Sequence, residues 1–115
     1  MTIQRFHVGS RMSEAVVHNQ TIYLAGQVAE DASQDPAGQT RQILAAIDRL
    51  LAECGSDKTR ILSAQIFLAD IADFSAMNSV WDAWVPAGHT PARATIESKL
   101  AAPKYRVEIK VIAAV

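Results

Sequence analysis

The chain is poor in the residues that build cross-linked or metal-held scaffolds. Cys54 is its only cysteine, so no internal disulfide and no thiolate metal cluster can form, and the role left to it is that of a small buried hydrophobe near a helix end. His7 and His18 have no partners at ligand spacing, which argues against a metal site. No apolar run approaches the roughly 20 residues needed to span a bilayer, and the first eight residues are too polar for a signal peptide, so the expected location is cytoplasmic, with no membrane partner. A long basic run is also missing: 11 Lys and Arg stand against 12 Asp and Glu, a balance that disfavours nucleic acid as a partner. With five glycines and four prolines scattered along it, the chain has no linker and no low-complexity tract.

What remains is ordinary globular material. At 115 residues the chain is expected to form one domain, 1–115, that buries roughly two thirds of the surface its unfolded form exposes. Residues 3 to 8 alternate weakly and fit an edge strand. Glu14–His18 and Thr21–Val28 alternate on either side of Asn19-Gln20, which predicts a hairpin with a tight turn. Gly26 inside that pattern predicts a bulge or a close approach to the backbone. After a polar loop, Asp35-Pro36 predicts a capped helix start. Ile43, Leu44, Ile47, Leu50, Leu51 and Cys54 form its apolar stripe, and Gly55 its left-handed end.

Ile61–Ala69 reads as a strand with Leu62, Ala64, Ile66 and Leu68 on one side. Asp70 and Asp73 offer caps for a second helix carrying Phe74, Met77, Trp81 and Trp84, which ends at Pro86 and Gly88. The two tryptophans read as packing, and His89 as loop surface. The order β-β-β-α-β-α-β-β with short connections predicts an α+β fold, a six-stranded mixed sheet with two helices on one face.

The last twenty-six residues carry the chemistry. In the first of their strands Ala94, Ile96 and Leu100 point one way and Arg93, Thr95, Glu97 and Lys99 the other; in the second, Tyr105, Val107, Ile109, Val111 and Ala113 oppose Arg106, Glu108 and Lys110. If both apolar sides meet one core, Arg93 and Glu108 share the remaining face. That face also carries Phe67, Ile112 and Tyr23, a mixture that predicts packing against further copies of the chain.

Tyr23-Leu24-Ala25-Gly26-Gln27, Asn78, Pro91-Ala92-Arg93-Ala94-Thr95 and Val107-Glu108-Ile109 together resemble the Rid family, also called YjgF, over essentially the whole length. The resemblance implies a chorismate mutase-like fold, homotrimers whose sheets form a central barrel, and small-molecule clefts between subunits. It implies enamine/imine deaminase activity on 2-imino acids with no cofactor and no metal. Arg93 would bind the substrate carboxylate, Glu108 would position or activate water, and Thr95, Ala25 and Gly26 would line the site. Two departures stand out: Ala25 replaces a family serine, and Arg11-Met12-Ser13-Glu14 occupies the region of a family tyrosine. Ser13 or Thr95 is a candidate substitute hydroxyl. The departures open an alternative, a non-catalytic trimer that binds a small carboxylate such as a 2-keto acid. A weaker alternative is the endoribonuclease or translation-inhibitor activity ascribed to some members.

Overall fold

A computed structural model describes residues 2–115. Its first three strands, β1 (Gln4–Val8), β2 (Ser13–His18) and β3 (Thr21–Leu24), form an antiparallel meander. Asn19 and Gln20 at the β2–β3 turn have φ of 52° and 63°, the left-handed pair that matches a two-residue turn to the twist of its strands.

Helix α1 (Pro36–Glu53) begins where Gly38 N donates to Asp35 Oδ1 at 2.8 Å. It ends where Gly55, at φ 78°, lets Gly55 N donate to Ala52 O and Ser56 N to Leu51 O, closing the last carbonyls. Strand β4 (Ile61–Leu68) leads through α2 (Phe74–Trp84) to β5 (Ala92–Glu97), and β6 (Val107–Ala114) completes the chain.

The sheet order is β1-β2-β3-β6-β4-β5. Among the described strands only β4 and β5 are parallel, as a crossover through α2 demands. Both helices cover one face. Ile43, Ile47 and Leu51 of α1, Met77 of α2 and Val107, Ile109 and Ala113 of the central β6 are wholly buried between the layers. No described helix is long and apolar enough to cross a membrane.

Two of the irregular segments are held by one amide. Gln39 is wholly buried; its Nε2 donates to the carbonyls of Ala32, Gln34 and Lys104, and its Oε1 accepts from Arg106 N at 2.9 Å. The loop before α1 and the loop before β6 are thereby fastened to the first turn of the helix.

The structure differs from the sequence reading in several places. Strand β3 stops at Leu24 because the chain advances five residues from Ile22 to Gln27 while β6 advances four from Ala113 to Ile109. The extra residue is accommodated around Ala25-Gly26, so the predicted bulge is present. A second irregularity between Ile61 and Ser63 turns Leu62 outward, leaving it 53% exposed instead of on the core side with Ala64. Strand β5 ends at Glu97 and β6 starts at Val107, so Lys99, Leu100 and Tyr105 lie in the connection. Asp70 caps a 3-10 turn by accepting from Ala72 N, whereas Asp73 makes no side-chain cap and pairs with Arg106 at 2.7 Å.

The largest correction concerns Arg93 and Glu108. Arg93 and Thr95 lie opposite Ala64 and Ile66, both buried on the helix side, while Glu108 lies opposite Phe67 on the uncovered side. The two residues are therefore on opposite faces. The physical reason is that β5 is an edge strand. Its helix side meets the aromatic flank of α2, which takes a guanidinium over its rings, and its apolar Ala94 and Ile96 face outward with Phe67.

Candidate ligand site at the sheet edge

Arg93 is held by α2. Its Nη1 donates to Asn78 Oδ1 at 2.8 Å, and its guanidinium carbon lies 5.3 Å from the ring centroid of Trp81 and 5.9 Å from that of Phe74. Phe74, Asn78 and Trp81 are four and three residues apart, so they form a single stripe along the helix. No carboxylate lies within ion-pair distance of Arg93 among the described residues, so neither Glu97 nor Glu108 neutralises it. Glu97 instead accepts from Ile71 N at 2.9 Å. A guanidinium has five N–H donors in a rigid fork. This one is half-buried, fixed by neutral groups, and has donors to spare for a planar anion.

Thr95 follows on the same side of β5. Its Oγ1 is buried and lacks the hydrogen-bond partner that buried polar atoms ordinarily have. The edge of the sheet thus carries an uncompensated cation and an unsatisfied hydroxyl two residues apart.

On the uncovered face, the carboxylate of Glu108 lies against Gly26 so closely that a methyl group there would overlap Oε2. Gly26 leaves room for the Glu108 side chain in this position, and the bulge brings the two together. Ala25 N donates to Glu14 O at 2.9 Å, and the Ala25 methyl brings no hydroxyl to the site. Arg106, a sequence neighbour of Glu108, is engaged by Asp73, and Glu108 has no ion pair among the described residues. On the same face Tyr23 and Ile96 are exposed by 45% and 46%.

The structure therefore brings Arg93 and Thr95 together, and Glu108 and Gly26 together, but keeps the pairs apart. Strands β6 and β5 are separated by β4, about 10 Å at the usual spacing, and the side chains leave opposite faces. One small ligand cannot touch both within a single chain. His89 is exposed in the loop after α2, with its amide donating to Pro86 O. The aromatic and amide cradle of Arg93 was given no site role from sequence, although the spacing of Phe74, Asn78 and Trp81 around one arginine was the available signal.

The family model described as "Endoribonuclease L-PSP" matches residues 2–115. The chain belongs to the Rid (YjgF) family. Among Rid relatives, the RutC family protein YoaB of Escherichia coli is 52% identical over 115 residues, covering 100% of both chains. A protein of Capra hircus named 2-iminobutanoate/2-iminopropanoate deaminase is 36% identical over 107 residues, covering 88% of this chain and 77% of its own. The crystal structure of a YjgF family member from Neisseria meningitidis superposes with a TM-score of 0.97 at 54% identity, over 99% of this chain and 95% of that one. The α+β architecture is thus that of the family.

Proposed function

We propose that the protein is a cytoplasmic enamine/imine deaminase that hydrolyses reactive 2-imino acids, of the type derived from 2-aminoacrylate, to 2-keto acids and ammonia. The observation that carries this reading is Arg93, a half-buried guanidinium with neutral neighbours and no carboxylate partner among the described residues. Its free N–H groups suit the two oxygens of a substrate carboxylate. Because Glu108 leaves the opposite face, the reading requires two copies of the chain, with Arg93, Asn78 and Thr95 of one facing Glu108 and Gly26 of another. The exposed Tyr23 and Ile96 support such an assembly, a homotrimer with clefts between subunits.

In the reaction Glu108 accepts a proton from water as the water oxygen bonds to the imine carbon. That proton passes to nitrogen to give a carbinolamine, and the hydroxyl proton then follows it to nitrogen as the C–N bond breaks, leaving a keto oxygen derived from water and releasing ammonia. Assistance of this kind is typically worth about 10² to 10⁴ in rate. The named deaminase activity of the Capra hircus relative supports the chemistry.

The test is ammonia release from imines generated in situ by an amino-acid oxidase, with wild type and Arg93→Ala in parallel. The expected outcome is acceleration by wild type alone, with the variant folded and assembled as before. Ala25, which lacks the hydroxyl of a serine, favours a second reading, a trimer that binds 2-keto acids without turnover. Saturable binding of a keto acid with no ammonia from any imine would decide for it.

A further inference from the structure

The outer surface of the helix layer holds a groove that the site above does not use. It lies between α1 and α2, has a volume of about 450 Å³, and is floored by Leu44 and Val80. Small side chains at Ala45 and Ala83 leave the space open where two larger residues would close it. Trp84 forms a wall. Its Nε1 donates to Asp48 Oδ2 at 3.0 Å, which fixes the ring, and Lys58 Nζ stands 5.3 Å from the ring centroid. Arg41 also borders the groove.

We propose that this groove is a second ligand site, for a small organic carboxylate with a flat apolar body. The size falls within the usual range for small-molecule pockets, which are largely apolar with a few polar groups that fix orientation. The charge decides the ligand class. Two cations, Arg41 and Lys58, face one carboxylate, Asp48, and an oxygen of that carboxylate already serves the indole N–H. An anionic head fits beside the cations, and a flat body fits against Trp84 and the Leu44–Val80 floor. The groove shares no lining residue with the Arg93 cradle. The layers touch through the tryptophans, because Trp84 and Trp81 have ring centroids 5.4 Å apart and Arg93 rests over Trp81.

This arrangement supplies its own probes. The chain has two tryptophans, so an amide spectrum shows two indole N–H signals, one reporting the groove and one the arginine. The experiment titrates phenylacetate and its uncharged analogue phenylacetamide into the labelled full chain, with the Trp84 signal assigned through Trp84→Phe. We expect phenylacetate to shift the Trp84 signal saturably in the millimolar range or tighter, and phenylacetamide to bind about tenfold more weakly or worse, the equivalent of one charge-assisted contact.

Ala83→Leu, at an exposed helix position, should fill the groove and abolish the shift; Lys58→Gln should weaken it about tenfold. Arg93→Ala should leave it intact. No saturable shift, equal binding of acid and amide, or a shift confined to Trp81 and lost with Arg93→Ala would each overturn the proposal. The last outcome would leave the reading of the arginine site standing, so the two inferences fail separately.

Discussion

Gln39 and Arg93 are both polar side chains drawn out of water, and they are treated in opposite ways. Gln39 is wholly buried and its amide is closed within the chain by three carbonyls and one backbone N–H. Arg93, at the edge of the sheet, is held by one neutral hydrogen bond and two rings, with an unsatisfied threonine hydroxyl close by on the same strand. The first arrangement uses up its hydrogen-bonding capacity in organising loops. The second keeps capacity in reserve. A closed polar group stabilises the fold, whereas an open one, oriented but not neutralised, is prepared for something outside the chain.

The contrast is broken most severely at Gln39. Gln39→Leu strands the Arg106 amide and three carbonyls, and a loss of about 3 to 5 kcal/mol is expected in urea denaturation, since each buried group left unpaired costs about 1 to 3 kcal/mol and some will find water. A loss below about 1 kcal/mol would show that the clamp is dispensable.

A smaller effect, of a different kind, is expected on the uncovered face. Ile96→Glu should weaken self-association about a hundredfold in sedimentation experiments while leaving each chain folded, because Ile96 is 46% exposed and has little to lose within one chain. Equal melting loss for Gln39→Leu and Ile96→Glu would erase the distinction.

Next comes Gly26→Ala. The added methyl displaces the end of Glu108 without touching the core, so turnover should fall about tenfold, the scale of a misplaced general base, with stability nearly unchanged.

The smallest effect involves Cys54, whose thiol is pushed up from its usual range by burial and by the neighbouring Glu53. It should react with iodoacetamide at pH 8 a few-fold more slowly than a free cysteine peptide. Because the folded state holds this proton more tightly, the associated stabilisation is complete below the ordinary thiol range and is lost as the pH rises above it.

Much of the fold was legible because the signals were local. Asp35-Pro36 and Gly55 mark the ends of α1 by capping chemistry local to those residues, and the Asn19-Gln20 turn sits between two alternating runs. The bulge at Gly26 was legible too, from a glycine inside a strand pattern. What failed was parity. Assigning Arg93 and Glu108 to one face assumed that apolar residues always mark the core, but Ile96 and Phe67 lie on the uncovered face and Arg93 faces α2. Alternation tells which residues share a side; it cannot tell which side is covered when both carry apolar groups. Gln39 was missed for a related reason. A glutamine four residues ahead of Ile43 reads as helix surface until the two loops that it clamps are known to pass over it.

The separation of Arg93 and Glu108 has a genetic consequence. If every site draws its arginine from one subunit and its glutamate from the next, two inactive alleles are not equivalent copies of one defect. A cell that makes both Arg93→Ala and Glu108→Ala chains assembles mixed rings, and about one site in four receives an intact arginine from one neighbour and an intact glutamate from the other. Each allele alone should be silent, yet the pair should recover about a quarter of wild-type turnover. Two defects within one chain could never be relieved in this way by their own copies, so the doubly substituted protein should stay inactive in any ratio with either single one.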